Sequence, residues 1–173
     1  MEEEPKKILL LVEDDPLMLR MYERVFNLEG IGVELAVNGE EAISKLEKMD
    51  PKPNVIVLDI MMPKINGFEV LRYVKKHPDL NGIPVVILTN LARRDDAEKA
   101  LSLGAIMYLV KSQYDAKTVI EKIKEVLGSY SDTDVSEDRV PEVKATIKDL
   151  PGSFERSGLA EKKATEDVKK ETH

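Results

Sequence analysis

Asp59 follows Val55-Ile56-Val57-Leu58, four apolar residues that suit a strand buried on both faces, and Glu13-Asp14-Asp15 follows a second apolar run, Ile8 to Val12. Two such strands side by side crowd their acids at one edge of a sheet. Carboxylates placed so closely repel one another unless a cation lies among them, and an all-oxygen donor set suits a hard ion such as Mg²⁺. In open α/β sheets the carboxyl edge of the strands is also where ligands bind. A lone acid after four apolar residues is costly unless it is used, which makes Asp59 the first candidate for chemistry.

The elements that position these acids alternate along the first 130 or so residues. Strands are expected at 7–12, 32–37, 54–58, 83–88 and 106–110, short stretches rich in β-branched residues, with helices between them. Asp15-Pro16 reads as a helix cap with proline at the first helical position, followed by Met18, Met21, Tyr22 and Val25 as the inward face. Asn38 caps a second helix with Ala42, Ile43 and Leu46 inward. A third runs from about Gly67 to Lys76 on Phe68, Leu71 and Val74, a fourth from about Asp95 to Leu103, and a fifth buries Val119, Ile120, Ile123, Val126 and Leu127. Parallel neighbours need right-handed helical crossovers, so the expected fold is a doubly wound, five-stranded parallel α/β sheet with helices on both faces.

Length and composition bound the rest. At 173 residues the chain fits one domain, expected over 1–130, plus an extension. Its longest apolar runs fall far short of the roughly 20 residues needed to span a bilayer, and Met1-Glu2-Glu3-Glu4 is unlike a signal peptide, so a soluble, cytoplasmic protein is expected. The absence of cysteine excludes a disulfide framework, a thiolate metal site and a cysteine nucleophile, and two histidines leave little for zinc. His77 precedes a proline at a helix end and His173 is terminal, so neither reads as functional. A net charge of -7 argues against a nonspecific grip on nucleic acid. Residues 131–173 hold too few large apolar side chains for a core and read as a charged tail, partly helical or disordered. Val140, Val143, Ile147 and Leu150 could form a short helical face there, solvated or docked on the domain or a partner.

Five features now fall at strand ends in order: Glu13-Asp14-Asp15-Pro16, Asp59 with Met62-Pro63 and Gly67 after it, Thr89, Tyr108 within the fifth strand, and Lys111 at its end. The set resembles the receiver domain of two-component response regulators, over about residues 6–128. That resemblance implies a flavodoxin-like strand order of 2-1-3-4-5. It makes Asp59 the phosphoacceptor, served by a histidine kinase or a histidine phosphotransfer protein. It makes Glu13, Asp14, Asp59 and the backbone carbonyl of Met61 the Mg²⁺ set, with Asp14 the more direct ligand and Glu13 acting mainly through water. Lys111 would pair with Asp59 and then with a phosphate oxygen, Thr89 would donate its hydroxyl to another, and Tyr108 would turn into the space Thr89 vacates. Output would pass by protein contact to an effector the sequence does not name, with possible homodimerisation through the fourth helix, fifth strand and fifth helix.

Two positions depart from the family pattern. Asn90 stands where a small residue is usual, and Ser112 follows Lys111 where the family has a cis proline. A cis bond to a non-proline residue costs about 2.5–4 kcal/mol, so the loop must carry that or go trans and move Lys111. These departures keep open a receiver-like scaffold that works without phosphate. A haloacid-dehalogenase-type phosphatase also uses an aspartate nucleophile with Mg²⁺, but places a second acid two residues later, where this chain has Met61. No basic recognition helix in the tail suggests a DNA-binding regulator.

Overall fold

The computed structural model describes residues 5–129. Its strands are β1 (Ile8–Val12), β2 (Gly32–Ala36), β3 (Val55–Leu58), β4 (Val85–Thr89) and β5 (Met107–Val110). Its helices are α1 (Pro16–Leu28), α2 (Gly39–Lys48), α3 (Gly67–Lys76), α4 (Arg94–Ser102) and α5 (Ala116–Ser129), with a 3-10 turn at Lys111–Gln113. All strand pairs are parallel, in the order β2-β1-β3-β4-β5.

The chain steps from β1 outward to β2, then back past β1 to β3, β4 and β5. Right-handed crossovers therefore put α1 on one face and α2, α3 and α4 on the other. α5 returns to the first face beside α1, where Lys124 Nζ meets Glu29 Oε2 at 2.6 Å. On the second face α2 lies against α3, and Tyr73 donates to Glu47 Oε1 at 2.7 Å. The central strands β3 and β4 are buried along their whole length, as apolar runs without alternation require. The edge strand β2 is only partly covered, and Lys45 donates to the Leu35 carbonyl on it.

Local chemistry starts the helices where the sequence places them. Asp15 Oδ1 accepts from Leu17 N–H at 2.8 Å and Met18 N–H at 3.3 Å, with Pro16 at the first helical position. Asn38 Oδ1 accepts from Glu41 N–H at 2.8 Å. Asn66 and Glu69 exchange bonds of 3.1 and 2.8 Å as a reciprocal capping box.

The inward faces of α3 and α5 are the expected ones, but α1 is turned relative to expectation. Leu19, Tyr22 and Phe26 face the sheet while Met21 is exposed and Met18 and Val25 are half-buried. Burying Leu19 and Phe26 removes more apolar surface than burying Met21 and Val25, and the i, i+3, i+7 spacing is equally helical. In α2, Ala42 and Leu46 are buried and Ile43 is half-buried. No helix among the described residues is long and apolar enough to cross a membrane. The helical face expected at Val140, Val143, Ile147 and Leu150 lies outside the described residues, as does all of 131–173.

Candidate functional site

The strand order reverses between β1 and β3, and the crevice beyond the carboxyl ends of such a pair is the natural ligand position. The register Val12↔Leu58 sets the next residues, Glu13 and Asp59, side by side, and Asp59 N–H donates to the Val12 carbonyl at 3.0 Å. Oxygens of Glu13, Asp14 and Asp59 lie within 4.8 Å of one another. Glu13 and Asp59 are 3% and 6% exposed, whereas Asp14 is exposed.

Lys111 leaves the end of β5 and bridges the two buried acids. Its Nζ donates to Glu13 Oε2 and, at 3.1 Å, to Asp59 Oδ2. Burial alone would lower the ammonium pKa, but the bonds and charges of Glu13 and Asp59 outweigh it and hold Lys111 above its ordinary value. Burial also raises the Glu13 carboxyl, against the opposing pull of Lys111 and of Asp15 N–H. Two buried carboxylates share a single ammonium: their charges hold the proton on Lys111, while burial opposes the charge on Glu13.

The loop after β3 is fixed around Asp59. Met61 N–H donates to Asp59 Oδ1 at 3.2 Å, while the Met61 side chain is 56% exposed. Gly67 opens α3 so close beneath the loop that a Cβ there would lie 2.1 Å from the Asp59 carbonyl oxygen. Only glycine fits.

Thr89 and Tyr108 are both fully buried, and a backbone residue joins them. Leu91 N–H donates to Thr89 Oγ1 at 3.3 Å, and the Leu91 carbonyl accepts from the Tyr108 hydroxyl at 2.8 Å. Burial, with the charges of Asp96 and Asp59, keeps the Tyr108 phenol well above its ordinary pKa. Tyr108 thus already points inward.

The structure therefore gathers Glu13, Asp14, Asp59 and Lys111 into one cluster, with Met61 in its wall. Among the described residues no hydrogen bond joins Thr89 to Asp59; Thr89 is wired to Tyr108 instead. The Glu13–Lys111 bond was not foreseen, and the bridging role of Leu91 had no signal in the sequence because it uses only backbone atoms. Asn90 and Ser112 are exposed. Among the described residues the one cis peptide bond precedes Pro51, so Lys111–Ser112 is trans, and Lys111 still reaches both acids.

The acidic cluster matches the Mg²⁺ site of receiver domains. An octahedral Mg²⁺ with bonds of 2.0–2.1 Å spaces its ligand oxygens about 3–4 Å apart, so a set already within 4.8 Å fits with small shifts. Three carboxylates against one ammonium also leave a charge that a divalent cation balances.

Comparison with known proteins agrees with this geometry. The response regulator receiver domain family matches residues 9–124. The response regulator Rcp1 of Synechocystis is 38% identical over 119 residues, 65% of this chain and 81% of that protein. A CheY-like receiver domain protein of Methanospirillum hungatei superposes with a TM-score of 0.66 at 29% identity, covering 72% of this chain and 96% of that one. The phosphorylated cyanobacterial phytochrome response regulator RcpA superposes with a TM-score of 0.64 at 26% identity, covering 73% and 98%. The chain spans about half the length of other curated relatives, 48% of one transcriptional regulator and 49% of another. On its family match, its relatives and its fold, the chain belongs to the response regulator receiver domains of two-component signalling.

Proposed function

We propose that this chain is a phosphorylation-switched signalling module in which Asp59 accepts a phosphoryl group from a histidine kinase or a histidine phosphotransfer protein. One observation carries the reading. Asp59 is 6% exposed yet held by Lys111 on one oxygen and Met61 N–H on the other, beside two further acids at the sheet's ligand edge. A carboxylate oxygen of Asp59 attacks phosphorus, the phosphorus–nitrogen bond of the phosphohistidine breaks, and the leaving imidazole keeps that electron pair. With acetyl phosphate the bond broken is phosphorus–oxygen and acetate leaves.

Glu13, Asp14, Asp59 and the Met61 carbonyl are the groups that would hold Mg²⁺. Bound there, it would offset the repulsion between carboxylate and phosphate and the charge that builds on the transferring oxygens. Lys111 follows the charge, turning from Asp59 to a phosphoryl oxygen. Thr89 gives its hydroxyl to another, which pulls on Leu91 and hence on the bond that holds Tyr108 inward. The surface of α4, β5 and α5 is thereby altered, and it is the face proposed for effector contact and for a homodimer. The similarity to a regulator crystallised in its phosphorylated form supports this reading.

The module occupies residues 1–130, with 131–173 as its tail, and works in the cytoplasm. It assists its own phosphorylation and dephosphorylation without being an enzyme for another substrate. A phosphatase reading lacks support, because the Met61 side chain offers no second carboxylate. Mg²⁺-dependent uptake from acetyl phosphate, followed by intact-protein mass spectrometry, tests the reading. Stable addition of one phosphoryl group is expected; continuous turnover of acetyl phosphate would favour a phosphatase, and no addition a phosphate-independent scaffold.

A further inference from the structure

Tyr22, on the sheet-facing stripe of α1, is a buried phenol that the roles above leave idle. It is 2% exposed, its ring lies 6.3 Å from that of Phe26, and its hydroxyl has no hydrogen-bond partner among the described residues. Leu19 and Phe26, its neighbours on the stripe, pack without a polar atom. A buried hydroxyl left unbonded is costly, so the oxygen needs an explanation that packing does not give.

Its position supplies one. α1 begins directly after Glu13-Asp14, and long side chains on a helix lean toward its N-terminus, so the Tyr22 ring covers the turn nearer the acidic cluster. Burial raises the phenol's pKa, with the charges of Lys111 and Glu13 acting on it in opposite directions. The proton stays on the phenol, which is therefore available as a donor.

Lys111 serves Glu13 and Asp59 at once. When a phosphoryl group occupies Asp59, the ammonium is drawn to it, and Glu13 Oε2, buried, loses its donor. We propose that Tyr22 is a positioning residue of this site, its hydroxyl donating to Glu13 when Lys111 turns to the phosphorylated Asp59. This rests on Asp59 being the phosphoacceptor. Tyr22 thereby lowers the cost of releasing Lys111, without touching the transferred group.

Tyr22→Phe removes one oxygen and keeps the ring, so the fold is expected to remain. Phosphoryl uptake from acetyl phosphate with Mg²⁺ is expected to slow by about tenfold, the loss of one hydrogen bond to a charged group. In the wild type, the ¹³Cζ resonance of Tyr22, assigned by its absence from the variant, is expected to shift when Mg²⁺ and beryllofluoride, a phosphoryl mimic, are added. Combined with Glu13→Gln, the Tyr22→Phe loss is expected to shrink, because the charged acceptor is gone. Wild-type uptake by Tyr22→Phe, or a Tyr22 resonance that does not move with the mimic, would overturn the proposal while leaving Asp59 in place. A wild type that takes up no phosphoryl group would overturn both.

Discussion

The two ends of the sheet solve the same problem differently. At the amino end, polar groups seal backbone: Asn54 Oδ1 accepts from Ile8 N–H at 2.8 Å, and Lys75 Nζ donates to the carbonyls of Asn81 and Ile83 at 3.1 and 3.0 Å. At the carboxyl end, polar groups face one another. The buried polar or charged residues among those described, Glu13, Asp59 and Thr89, all sit where β1, β3 and β4 end. Burying charge is expensive, and this fold concentrates it where the strands' ligand crevice lies. The amino end is held by bonds that need little from their neighbours. The carboxyl end depends on every partner being present.

That contrast is most easily broken at Lys111. Lys111→Met leaves two buried carboxylates without their shared ammonium and is expected to cost about 3–5 kcal/mol in urea unfolding without divalent ions. Added Mg²⁺ is expected to recover part of the loss, since a ligand of the native state stabilises it by mass action. A loss under about 1 kcal/mol would mean that the pair is not buried as described.

A glycine pair sharpens the comparison. Gly67→Ala forces a Cβ against the Asp59 carbonyl, 2.1 Å away, and is expected to cost about 1–3 kcal/mol and slow phosphoryl uptake. Gly82→Ala, before β4 at the opposite end, meets nothing within 4 Å, and is expected to change stability by no more than about 1 kcal/mol with uptake unchanged. Equal effects at both positions would erase the distinction between the ends.

Much of this was readable from residue types. The strand ends were legible because four or five apolar residues in a row stop at an acid, a threonine or a lysine, and two of the caps were legible because Asp15 and Asn38 have side chains made for that task; the Asn66–Glu69 capping box was found only in the structure. The rotation of α1 was not. Methionine, leucine and phenylalanine all satisfy a helical period, and which of them lands on the sheet depends on the volume left by β1, β2 and α5. The Glu13–Lys111 bond also escaped notice, because a sequence shows both charges but not that Lys111 reaches two acids at once. Leu91 was invisible for a deeper reason, since its part is played by an N–H and a carbonyl that every non-proline residue has.

Lys75 offers a milder test. Burial lowers its ammonium pKa, so it already pays for its place. Lys75→Met keeps the stem and removes two bonds to carbonyls, and is expected to cost about 1 kcal/mol without altering uptake. A loss as large as that of Lys111→Met would show that the amino end is equally dependent on a buried charge.

The smallest effect expected is a pH dependence. The Glu13 carboxyl is raised above 4.5, chiefly by burial, so stability supplied by its protonated form is full below that value and is lost as pH rises through the folded value. Glu13→Gln removes this loss. Without divalent ions, its stability relative to wild type is expected to rise between about pH 4 and 7 in paired urea titrations, and a difference that falls over that range would reverse the sign assigned to Glu13.

The central claim is that the carboxyl end exists to put a phosphoryl group on Asp59. An aspartyl phosphate is an acyl phosphate, which borohydride reduces to homoserine, so the acceptor can be read by peptide mass spectrometry after incubation with acetyl phosphate. With Mg²⁺ present, homoserine is expected at residue 59 alone, and none after chelation or in Asp59→Asn. Homoserine at another aspartate, or undiminished phosphoryl incorporation by Asp59→Asn, would contradict the account.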